Sequence, residues 1–80
     1  MPKSDNQKLK LLYIRDYLER NSDEQHPVGA QELIDMLARH GISCERKAVY
    51  SDIRVLQDFG IDIVNRRGKN GGYFIASRNF

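Results

Sequence analysis

Eighty residues, 40 % of them apolar and 30 % charged, with a net charge of +2, describe one small globular domain with a modest core. The single cysteine, Cys44, excludes an internal disulfide framework and a CxxC metal or redox motif. No apolar run approaches the ~20 residues of a bilayer span and the start of the chain has no signal-peptide pattern, so a cytoplasmic location and no membrane partner are expected.

Residues 1–7 are polar and are expected to form a disordered arm. A first helix is predicted over residues 8–21. Leu11, Ile14 and Leu18 draw one apolar line, and Leu9, Leu12, Tyr13 and Tyr17 widen it enough to predict packing on more than one side. The polar run 21–26 ends it, and Pro27-Val28-Gly29 reads as a very short extended piece. Helix two begins near Ala30, with Ala30, Leu33, Ile34 and Leu37 at i, i+3, i+4 and i+7, and Gly41 as its stop. A short connection, 41–44, leads to a third helix over residues 45–59, with Glu45 or Ser43 as its candidate cap and Gly60 as its end.

The third helix has two faces. Val49, Ile53 and Leu56 form its apolar seam. Lys47, Tyr50, Ser51 and Arg54 fall at i, i+3, i+4 and i+7 on the other side, with no carboxylate among them, while Asp52 and Asp58 are read as lying off this stripe. Such a stripe is either an ordinary solvated face or a surface fitted to a nucleic-acid groove. Beyond Gly60 the period changes. Residues 61–65 and 73–76 are β-prone, and the loop 66–72 between them holds Arg66, Arg67, Lys69, an Asn70-Gly71 pair and further glycine, which signals a hairpin. The hairpin is either an edge kept soluble by charge or a wing that lays cations along phosphates. Charge is skewed the same way: residues 1–40 carry six Lys/Arg against seven Asp/Glu, and residues 41–80 carry seven against four. The expected fold is mainly α with a small β-hairpin, a three-helix winged helix-turn-helix over residues 8–76.

Val49-Tyr50, Asp52-Ile53, Leu56 and Gly60 resemble the helix pattern R-T-V-Y-R-D-I-x-x-L-x-x-x-G of DeoR-like bacterial regulators. The run 67–75 resembles their wing, R-G-x-x-G-G-Y-x-L. The likeness is greatest to the subgroup in which this domain precedes a WYL sensor domain. Lys47, Ala48 and Ser51 depart from it, standing where arginine, threonine and arginine are usual. Lysine keeps charge but loses the bidentate fork, and Ser51 removes a cation from the stripe. The resemblance implies duplex-DNA binding, a homodimer of a full-length protein, and residues 77–80 as the start of a linker to a further domain.

Two functions from different classes follow. One is sequence-specific binding of double-stranded DNA by a transcriptional regulator. In it Lys47, Ser51 and Arg54 approach the major groove, and Tyr50 and Arg46 meet the backbone. Gln31 donates to a phosphate, and Arg66, Arg67, Lys69 and Asn70 hold the backbone or minor groove. The other is a winged-helix module that docks a protein partner. No cofactor, metal or catalytic site is expected: His26, His40 and Cys44 match no zinc spacing, nothing orients a Cys44–His40 pair, and the loop glycines precede a strand rather than the helix of a P-loop.

Overall fold

Three helices lead into an antiparallel hairpin: α1 (Lys3–Asn21), α2 (Ala30–Arg39), α3 (Arg46–Phe59), β1 (Ile63–Arg66) and β2 (Gly72–Ile75). This is the helix-rich winged layout that the sequence predicts. The computed structural model describes residues 3–69 and 71–76, with side chains from residue 7 onward. The expected linker at 77–80 and Asn70 lie outside the described residues. Among the described residues no helix is long and apolar enough to cross a membrane.

Helix α1 begins at Lys3, five residues before the expected start. Residues 3–7 are polar, but the chain has no glycine or proline between Pro2 and Pro27, so nothing in the local chemistry stops helix growth there. Its packing also differs from expectation. The buried line is Lys10, Ile14 and Leu18, whereas Leu9 and Leu12 are exposed. The helix packs on α2, α3 and β2, and Leu11, Tyr13 and Tyr17 lie half-buried against the core, so only Leu9 and Leu12 of the wider apolar surface are uncovered.

Ile14 and Leu18 meet Leu33 and Leu37 of α2 and Val49 and Ile53 of α3 in one core, closed from the hairpin side by Ile61, Ile63, Tyr73 and Ile75. Each fully enclosed side chain of this size contributes about 1.5–3 kcal/mol of transfer free energy. Helices α2 and α3 stop by the same device. Gly41 (φ 77°) donates to the Ala38 carbonyl while Ile42 N–H reaches back to Leu37, and Gly60 (φ 122°) donates to Gln57 while Ile61 N–H reaches back to Leu56. In both, the left-handed glycine is followed by an isoleucine that buries itself under the helix it has just ended. Glu45 occupies the N-cap of α3 but its side chain makes no cap hydrogen bond.

The hairpin pairs Ile63 with Ile75, Val64 with Phe74, Asn65 with Tyr73 and Arg66 with Gly72. Val28, the expected short extended piece, exchanges both backbone hydrogen bonds with Tyr73, at 2.8 and 2.7 Å. β2 is thus flanked on both edges and ties the hairpin to the loop before α2. At Gly72 (φ 155°) a Cβ would stand 2.7 Å from the Val28 carbonyl carbon and oxygen. Those atoms are backbone and already paired. Gly72→Ala is therefore expected to cost about 1–3 kcal/mol, read as a lower urea midpoint; an unchanged midpoint would show that the hairpin is not held against Val28.

Candidate nucleic-acid interface

Helix α3 is turned by its core contacts. Val49, Asp52, Ile53 and Leu56 face inward, so Lys47, Tyr50, Ser51 and Arg54, on the opposite arc, are all exposed. Asp52 leaves the stripe as expected, and for a specific reason: its carboxylate lies 3.1 Å from the Lys10 ammonium, with side chains only 13 % and 8 % exposed. The contact is an ion pair without an aligned hydrogen bond at Oδ2. Asp58 is exposed and stands one turn after Arg54, so the outer face ends in a carboxylate rather than shedding it to the side.

Between α3 and the hairpin runs an open groove of about 530 Å³. Arg46, Tyr50 and Arg54 form one wall, Asn65, Gly71 and Gly72 the other, and Gly29 and Ala30, at the N-terminus of α2, close one end. No carboxylate lines it. Gly29 gives α2 no side-chain cap, so the positive end of that helix opens beside the same groove. The slim glycine wall leaves the backbone open to approach without side chains in the way, the Gly71 amide itself donating to the Gly68 carbonyl at 3.0 Å. Tyr73 also lines the groove, and burial pushes its phenol above the ordinary value.

Cations in this region lack anionic partners. Lys47, Arg54, Arg67 and Lys69 have no carboxylate within ion-pair distance among the described residues. Arg46 meets a neutral group, donating from Nη2 to Gln31 Oε1 at 3.3 Å, and has no carboxylate within ion-pair distance among the described residues. Gln31 in turn donates to Asp35. It thereby positions Arg46 at the junction of α2 and α3, while its amide nitrogen, expected to donate to a phosphate, is engaged with Asp35. On the far side of the molecule the pattern is reversed: Arg15 and Arg20 are paired with Glu19 and Asp16.

Arg66 does not join the groove. Its guanidinium donates to the Glu24 carbonyl at 2.6 Å, approaches the Glu24 carboxylate at 3.9 Å and lies 5.1 Å over the Phe74 ring. The reason is strand alternation: Asn65 points into the groove, so Arg66 must point to the opposite face of the hairpin. Of the hairpin cations, Arg67 and Lys69 are left exposed at the tip, and Asn70 is outside the described residues. Besides Tyr73, two polar groove side chains were not expected. Asn65 is one, concealed in a run that reads only as β-prone. The other is Gln57, three residues beyond Arg54, whose amide donates to the Ile63 carbonyl at 2.8 Å and fixes the angle between α3 and β1.

Cys44 is half-buried, and desolvation pushes its thiol above the ordinary value, which suits a packing role rather than that of a nucleophile. No family model, curated protein or solved structure matches this chain.

Proposed function

We propose that this chain is a double-stranded DNA-binding domain of a transcriptional regulator. The reading rests on one observation above the others: a helix and a hairpin enclose an open groove with no carboxylate in its lining, and four exposed cations around it have no anionic partner among the described residues. A protein-only surface gains nothing from unpaired cations, whereas a phosphate backbone pairs them and releases its counterions. In this reading α3 enters the major groove with Lys47, Ser51 and Arg54 toward base edges, and Tyr50 and Arg46 lie along the sugar-phosphate. The hairpin tip, with Arg67 and Lys69, follows the backbone or the minor groove. The resemblance of α3 and the hairpin to DeoR-like regulators points the same way.

Titration of random-sequence duplex at two salt concentrations tests it. With some four or five phosphates neutralised, log Kd is expected to rise with log salt with a slope of about 4. A slope near zero, or no binding even at low salt, would remove the proposal.

A further inference from the structure

A second surface lies away from the groove. Leu12 on α1 is 59 % exposed, and Val55 and Phe59 on α3 are 48 % and 76 % exposed. With Leu11 and Leu56 they line one depression of about 320 Å³ between α1 and the end of α3. A contiguous apolar patch of this kind marks a contact surface. It shares no lining residue with the groove.

The lining sets the chemistry of what fits. Its only charged groups are Lys8 and Arg15, both on α1 and both cationic, and Asp58 does not line it. Lys8 is exposed and has no carboxylate within ion-pair distance among the described residues. Arg15 donates from Nε to Glu19 at 3.1 Å, which holds its guanidinium in place. Apart from Ile61, the lining comes from two helices, and no residue of β1 or β2 enters it. An extended peptide laid there finds no strand edge and buries its own N–H and C=O groups unpaired. A helix satisfies its backbone internally and presents side chains alone, which suits a trough walled by two helices.

We propose that this depression docks an acidic amphipathic helix of a partner protein. The apolar anchors of that helix, at i, i+3 or i+4 and i+7, seat between Leu12 and Phe59 over Val55 and Leu56. A carboxylate beside the anchors pairs with Lys8, the unpartnered cation of the rim. Since the two surfaces are separate, the depression can be filled while the groove stays open. The docking does not depend on the DNA reading, and its test contains no DNA.

The probe is a display library of helical peptides about five turns long, panned on the chain and counter-panned on Phe59→Ser. Enriched sequences are expected to place Leu, Phe or Met at the anchor spacing, with Asp or Glu rather than Lys or Arg beside them. For the leading synthetic peptide, Leu12→Asp and Phe59→Ser are each expected to weaken binding at least about tenfold, with helical circular dichroism unchanged because both side chains are exposed. Should Leu12→Asp lose helicity, Phe59→Ser carries that arm alone. Lys8→Glu is expected to weaken binding by about three- to tenfold, and to bind a lysine-for-glutamate version of the peptide better than the wild type does. Arg54→Ala/Arg67→Ala is expected to change nothing, which separates docking here from attraction of an acidic peptide to the groove. No enrichment, a basic or uncharged consensus, or loss of binding in Arg54→Ala/Arg67→Ala would each overturn the proposal. So would Phe59-dependent binding to phosphatidylserine vesicles in place of peptide, or Phe59-dependent association of the chain with itself.

Discussion

Asp52→Ala is expected to lower the unfolding free energy by about 3–5 kcal/mol, because it strands the Lys10 ammonium in the core without its counter-charge. For a chain of this length total stability is roughly 4–12 kcal/mol, so the single variant is expected to lose between about a quarter and all of it. The Lys10 and Asp52 side chains are 8 % and 13 % exposed and 3.1 Å apart, which puts them in the buried regime where loss of one partner costs far more than the pair itself contributes. Replacing both, as Lys10→Met with Asp52→Leu, is expected to restore stability to within about 1–2 kcal/mol of the wild type or above it. Urea unfolding followed by circular dichroism reads both. A single-variant loss under about 1 kcal/mol would mean that the Lys10 ammonium reaches water and that the pair does not set the rotation of α3 against α1.

Arg54→Ala is expected to weaken duplex binding by about ten- to a hundredfold, the value of one base-edge or phosphate contact made by arginine. Arg54→Ala/Arg67→Ala is expected to lose about a hundredfold or more and to flatten the salt dependence by nearly 2 in slope. Arg66→Ala supplies the contrast. Its guanidinium is engaged with Glu24 and the Phe74 ring on the other face of the hairpin, so its removal is expected to change affinity by less than about threefold and the salt slope hardly at all. Fluorescence anisotropy on one duplex, repeated at two salt concentrations, ranks the three variants. If Arg66→Ala proved as damaging as Arg54→Ala, the face assigned to the groove would be the wrong one.

Much of this architecture was legible because local chemistry and global packing agree. The i, i+4, i+7 seam of Val49, Ile53 and Leu56 left only one way to bury α3, and Gly41 and Gly60 mark helix ends at positive φ that glycine adopts most readily. Alternation in 61–65 and the glycine-rich loop made the hairpin recognisable. What misled was treating residue type as burial. Leu9 and Leu12 looked like core, and Lys10 was not counted there. Yet Lys10 falls on the Ile14–Leu18 line, and a lysine on such a line is admitted only because Asp52, distant in sequence, arrives opposite it. Arg66 was misplaced for a related reason. A loop rich in cations invites all of them to be counted on one surface, while the first strand residues still obey a period of two.

Periodicity, glycine placement and the clustering of cations in the second half of the chain were enough to establish a three-helix domain with a hairpin and an outward cationic stripe. They act over a few residues and are written directly in the order of side chains. Tertiary structure alone decided which basic groups stay unpaired. Arg66 turns to Glu24 across 42 positions of chain and Lys10 to Asp52, whereas Arg54, Lys47, Arg67 and Lys69 meet no carboxylate among the described residues. Ion pairing depends on distances of a few ångströms between distant parts of the chain, and no count of charges along a sequence contains them.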